Sequence, residues 1–119
     1  MKAQKARGSE LSVVLKLHRK SSRVVAVAGA LRMPVDRSAR DRVRALLRQG
    51  ERAIVLDLAA VTRIDAAGVG ELVRAFNMAA AVNGRLRITN ASPWVSEVLE
   101  RAGVFDLLTG EAEGEQRLA

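Results

Sequence analysis

Residues 53–58, Ala53-Ile54-Val55-Leu56-Asp57-Leu58, and residues 65–70, Asp65-Ala66-Ala67-Gly68-Val69-Gly70, decide how this chain folds. The first stretch is an almost unbroken apolar run of strand length, as expected of a central parallel strand covered on both sides or set inside a sheet. Val61-Thr62-Arg63-Ile64 leads on to Asp65, and there the period changes. Val69, Leu72, Val73, Phe76, Ala79 and Ala80 recur at helical spacing and the pattern stops at Asn83-Gly84, so a helix is expected over about 66–82 with those residues inward. Asp65 is of the N-cap type: its carboxylate accepts hydrogen bonds from the backbone N–H of Ala67 or Gly68, worth about 0.5–2 kcal/mol. Gly68 and Gly70 fall in the first turns, where each is about 1 kcal/mol worse than Ala. Close backbone approach to a neighbouring strand, or to a partner surface, would offset that. The helix N-terminus also favours an anion nearby. The glycines match neither a P-loop nor a dinucleotide fingerprint. On spacing alone the plainer reading is a capped helix packed tightly on its sheet.

Upstream, Leu11, Val13, Leu15 and Leu17 alternate with Ser12, Val14, Lys16 and His18, which marks a half-buried strand. Ser21-Ser22 makes a turn and Arg23–Gly29 gives the hairpin partner. Pro34 to Arg48 is helical, with Val35, Ala39, Val43, Leu46 and Leu47 on one face and Arg37, Arg40, Arg44 and Arg48 on another; Pro34 suits the first turn and Gly50 the stop. Downstream, Leu86 and Ile88 mark a short strand. Ser92-Pro93 caps and starts a third helix through Ala102, with Val95, Val98 and Leu99 inward and Gly103 as its stop. Val104, Phe105, Leu107 and Leu108 pin the end of the fold. The order β-β-α-β-α-β-α predicts an α/β fold, a mixed sheet of four or five strands with helices packed on it. Residues 1–9 read as a mobile basic lead-in, 10–108 as one domain and 109–119 as an exposed acidic tail.

The 119 residues suffice for one domain. Hydrophobic residues make up 49% and aromatics 3%, so the core is aliphatic and intrinsic disorder is excluded. Without cysteine there are no disulfides, thiol nucleophiles or Cys-ligated metals, and one histidine, His18, is too few for a triad or a His-based metal site. The net charge of +7 attracts acidic partners in a salt-dependent way, yet no aromatics interleave with the bases as single-strand nucleic-acid binding needs. No apolar run reaches the about 18 residues of a membrane span, and no signal-peptide pattern opens the chain. A cytoplasmic protein is expected, without catalytic residues, metal or cofactor.

The two opening stretches together resemble the core signature of STAS domains, especially bacterial anti-sigma factor antagonists. The likeness continues through Gly84-Arg85-Leu86-Arg87-Ile88, Ser92-Pro93 and Val98-Leu99 to Ala102-Gly103-Val104, and covers about Leu11 to Leu108. It implies a small α/β domain that binds an anti-sigma factor or related serine-kinase-type partner through the turn at Asp65 and the following helix, in transcription regulation. In the family a phosphorylated Ser follows the turn's Asp, and phosphate, at about −1.5 to −2 charges, turns binding off. This chain carries Ala66 there and Ala67 where a second hydroxyl is common. Upstream, Gly29-Ala30-Leu31-Arg32 stands where the family has Gly-Glu-Leu-Asp, so Arg32 brings a positive charge to the turn, able to pair with Asp65 or with a partner carboxylate. The resemblance therefore implies the fold without the phosphoswitch.

The partner-binding residues expected are Arg32, Met33, Asp65, Ala66, Ala67, Gly68, Val69, Glu71 and Trp94, the last as an interface anchor at the start of the third helix or, more plainly, as cover for a core edge. His18 and the arginine row read as solvated, with Asp36–Arg40 and Arg37–Asp41 pairs at i,i+4. Asp57, a lone carboxylate in an apolar strand, is poor catalytic machinery and is expected to satisfy backbone groups. An alternative is a STAS accessory subunit that binds the ATPase of an ABC-type lipid transporter. A third is a nucleotide held near Arg32 and Ala66.

Overall fold

The computed structural model describes residues 22–33 and 37–110 in full and the backbone of 4–5 and 12–17. Strand β1 is Gln4–Lys5, β2 Ser12–Leu17 and β3 Arg23–Leu31; helix α1 is Ser38–Arg48, β4 Ala53–Ile64, α2 Ala66–Ala81, β5 Arg85–Thr89, α3 Pro93–Arg101 and α4 Phe105–Thr109. The five strands form one sheet in the order β1-β2-β3-β4-β5. The hairpin is as expected, β2 running antiparallel to β3 with Leu15 opposite Val25. From β3 onward the strands are parallel, β3 to β4 and β4 to β5, so β4 is central as read. The addition at the front is β1, a two-residue strand inside what reads as the lead-in, paired with Val13 and Ser12. At the back, the apolar cluster after Gly103 forms a helix of its own, α4, which buries Leu108 fully and ends at Gly110 with φ 85. The expected tail thus begins one residue inside α4.

Parallel strands joined by α1 and α2 need crossovers, and the chain supplies them with one-sided helices. Helix α1 buries Ala39, Val43, Leu46 and Leu47. Helix α2 buries Gly68, Val69, Glu71, Leu72, Ala75 and Ala79. The expected face is corrected: Ala75 is inward and Ala80 is exposed, while Val73 and Phe76 are partly buried against the core. Opposite them stand Val25 and Val27 of β3, Ile54, Leu56 and Leu58 of β4, and Leu86 and Ile88 of β5, each 4% exposed or less. Along β4 burial alternates: Ile54, Leu56 and Leu58 are buried, and Ala53, Val55 and Asp57 only half-buried. The strand is therefore not covered on both sides. Ala53, Val55 and Asp57 lie on a second, more open face, which Val24, Ala26 and Arg87 share.

The central strand outruns its neighbour. Strand β5 pairs only with Ala53–Asp57, whereas β3 follows β4 up to Ile64. Two register shifts mark that upper half, between Ala26 and Ala28 and between Gly29 and Ala30, where Gly29 has φ 102. Asp57 secures the point of divergence: its Oδ1 accepts from Ala59 N at 3.0 Å and from Asn90 Nδ2 at 3.2 Å. That is the backbone-satisfying role expected of it. The row on α1 divides. Arg44 pairs with Asp41 at 3.4 Å, but Arg40 turns toward α2, so not all four arginines lie on a solvated face. His18, Asp36 with its expected pair, and Pro34 lie outside the described residues.

Candidate docking site

The top of β4 and the start of α2 form a corner tied by Asp65. The carboxylate spans two elements: Oδ1 accepts from Gly68 N at 2.9 Å, the N-cap bond, and Oδ2 accepts from Met33 N at 2.9 Å. Asp65 N donates in turn to Leu31 O at 3.3 Å, and Asp65 O accepts from Val69 N at 2.9 Å. One residue therefore joins the end of β3, the segment after it and the first turn of α2. The backbone N–H of Met33, then that of Gly68, holds the Asp65 carboxyl below the ordinary aspartate value, against a smaller opposing push from burial. These backbone donors steady its charge.

Gly68 explains the closeness of the fit. A Cβ built there would run into Leu31 O and stand 2.9 Å from the Ile64 side chain, so any side chain forces backbone apart. The offset for a helical glycine is thus approach to the neighbouring strand, the first of the two expected reasons. Gly70 lacks that justification: its Cβ would meet only Arg74 Nη1 at 3.4 Å.

The expected contact residues divide by exposure. Arg32, Met33 (61%) and Ala66 face solvent, and Ala67 and Asp65 are half-exposed. The corner is thus open to another molecule. Gly68 and Val69 are buried, and Glu71, at 5% exposure, is the sole buried charged residue among those described. These three, expected as contact residues, are buried rather than exposed, because the helix face that carries them packs on the sheet and on α1. Trp94, 49% exposed near the start of α3, takes no part in the Asp65 hydrogen-bond set. The Glu71–Arg40 contact across α2 and α1 was not read from the sequence. A usable signal existed: Gly68, Ala75 and Ala79, all small and buried, place position 71 on the same face at steps of three and four.

No cluster of three or more His, Cys, Asp or Glu side chains occurs among the described residues. A depression of about 490 Å³ lies on the more open sheet face, lined by Val24, Val55, Asp57 and Arg87, and includes no residue of the corner.

Set against known proteins, the STAS_2 family model, described as "Mlab, STAS domain", matches residues 4–109. The chain belongs to the STAS domain family. No curated protein matches it. Among solved structures, a STAS-fold anti-sigma factor antagonist from Mycobacterium paratuberculosis is similar at TM-score 0.71 and 20% identity, covering 89% of this chain and 87% of that one. The Bacillus cell fate determinant SpoIIAA in its phosphorylated form aligns at TM-score 0.63 and 22% identity, over 90% of this chain and 99% of that one. The murine anion transporter Slc26a9 also aligns, at TM-score 0.61 and 14% identity, over 87% of this chain but 18% of that one. The STAS fold, with helices packed on a mixed sheet whose β3, β4 and β5 are parallel, is therefore that of anti-sigma factor antagonists. No helix among the described residues is long and apolar enough to cross a membrane.

Proposed function

We propose that this STAS domain is a non-catalytic docking module of the cytoplasm, which presents the corner formed by Arg32, Met33, Asp65, Ala66 and Ala67 to an anti-sigma factor or related kinase-type protein. Trp94 is the outlying contact. One observation carries the reading: Ala66, exposed at the first residue of α2, stands beside the 61%-exposed Met33 on a corner braced from within by Asp65. SpoIIAA has been solved both phosphorylated and unphosphorylated. In this chain a methyl group follows the turn's Asp, and a methyl accepts no phosphoryl group. Docking here is standing rather than switched.

The test mixes the protein with a candidate anti-sigma kinase and ATP. Complex persists and no phosphate appears on residues 60–70; a phosphopeptide from that stretch, or release of the complex by ATP, overturns the reading. Met33→Glu and Ala66→Arg abolish the complex if the corner is the contact, and a complex that tolerates both places the contact elsewhere.

The missing hydroxyls at Ala66 and Ala67 also favour a second reading, the accessory subunit of an ABC-type lipid transporter, since a resident subunit needs no release. Capture from the native cytoplasm with the wild type and Met33→Glu as baits separates the two: a sigma-factor regulator lost from the variant supports the first reading, and a transporter ATPase the second. A nucleotide near Arg32 is tested by titration with GTP, where no heat and no shift is the expected result.

A further inference from the structure

The more open face of the sheet carries two opposite charges that do not meet. In register, Val24 of β3, Val55 of β4 and Arg87 of β5 form one row across the sheet, and Ala26, Asp57 and Thr89 form the next. Arg87 and Asp57 are thus diagonal neighbours on adjacent strands. A strand spacing of about 4.8 Å and a rise of about 3.3 Å per residue put their Cα atoms about 8 Å apart, within the reach of an arginine side chain. Both residues are half-buried. No ion pair joins them, and among the described residues Arg87 has neither a carboxylate nor a hydrogen-bond acceptor. Asp57 Oδ1 accepts from Ala59 N and Asn90 Nδ2, while Oδ2 accepts from no described residue.

The arginine is also held in place. Gly110, at the end of α4, lies against its stem: a Cβ at 110 would stand 2.6 Å from Arg87 Cδ and 3.4 Å from Nε. The guanidinium therefore stays in the wall of the depression of about 490 Å³, which Asp57, Val24 and Val55 also line. That volume is within the range of about 300–1,000 Å³ common for small-molecule sites. Two fixed charges of opposite sign, an apolar surface beside them and open space between make a recognisable set.

We propose that this depression binds a small zwitterion of the α-amino-acid class with an aliphatic side chain. Arg87 takes the carboxylate through its fork of N–H donors. Asp57 Oδ2 takes the ammonium, and Val24 and Val55 take the side chain. A ligand with both signs suits the gap, whereas a simple anion meets Asp57 and a simple cation meets Arg87. The site shares no residue with the Asp65 corner and does not rest on the docking reading.

The test titrates the protein with L-leucine and follows the NMR signals of Arg87 Nε–H and of the Val24 and Val55 amides. They shift together and saturate. Isocaproate, which keeps the carboxylate and side chain but lacks the ammonium, binds about tenfold more weakly, and so does isoamylamine, which lacks the carboxylate. Arg87→Gln abolishes the shifts. Asp57→Asn keeps an acceptor for Ala59 N and Asn90; it weakens leucine about tenfold and leaves isocaproate no weaker. If Asp57→Asn disturbs the strand, seen as amide shifts beyond the open face, Arg87→Gln and the two analogues decide alone. The absence of a saturable shift with leucine overturns the proposal. Isocaproate or isoamylamine binding as well as leucine also overturns it, as do shifts that survive Arg87→Gln.

Discussion

Among the described residues, two strand-to-helix corners are capped by a short polar side chain, and they are built for different ends. At the β5–α3 corner Ser92 Oγ accepts from Val95 N at 3.2 Å, and Pro93 follows at the first helical turn. The bond is local, three residues long, and ends there. At the β4–α2 corner Asp65 makes the same three-residue bond to Gly68 and a second one to Met33, 32 residues away in sequence. The serine has one oxygen and starts a helix. The aspartate has two, and its second oxygen turns a helix cap into a tertiary tie. A corner with such a tie can carry exposed, chemically plain residues such as Ala66 and still keep its shape.

The sharpest way to break this contrast is Gly68→Ala. The new methyl group meets the Leu31 carbonyl oxygen, so backbone moves and stability falls by about 3 kcal/mol, read as a lower denaturant midpoint. Gly70→Ala is the control: with room beside Arg74 it gains up to about 1 kcal/mol from helix propensity.

Next in size is Asp65→Ala, which loses both the cap and the Met33 bond, about 2 kcal/mol in all. Its charge adds a pH signature. Because the folded-state carboxyl is held below the ordinary value, its contribution is complete above the unfolded pKa of about 3.9 and is lost as pH falls through the folded value. The stability gap between wild type and Asp65→Asn therefore narrows on acidification below about pH 4. A gap that widens there contradicts the backbone-donor account.

The smallest loss belongs to Ser92→Ala, about 1 kcal/mol. Its gap from wild type does not change with pH, since no titrating group is removed, and hydrogen exchange at the Met33 amide is untouched. A Ser92→Ala effect as large as that of Asp65→Ala would erase the distinction between the corners.

Both corners were legible in the sequence, because a cap depends on residues within one turn of each other. So were the stops at Gly50 and Gly103, which have φ 94 and 77. The central parallel β4 was legible from its apolar run, but its half-open side was not: alternation among Ile, Val, Leu and Ala hides which face lacks a helix. Met33 was read as a contact residue on resemblance; its bond to Asp65 depends on the register of β3 against β4, which no local pattern encodes. The burial of Glu71 was hidden for the same reason. A charge inside a helix implies solvent until another element brings a counter-charge, and Arg40 arrives from 31 positions upstream. Resemblance pointed to the exposed residues proposed for docking; packing determined which of the expected residues are buried.

The unequal lengths of β4 and β5 bear on the shape of whatever binds. Strand β5 stops level with Asp57, while β4 climbs on to Ile64 before Asp65 begins the next corner, a rise of about 20 Å along the strand. The corner that leads to Trp94 is thus reached from a shorter strand than the Asp65 corner, and a partner that touches the residues proposed for docking at both has to span that difference in strand length.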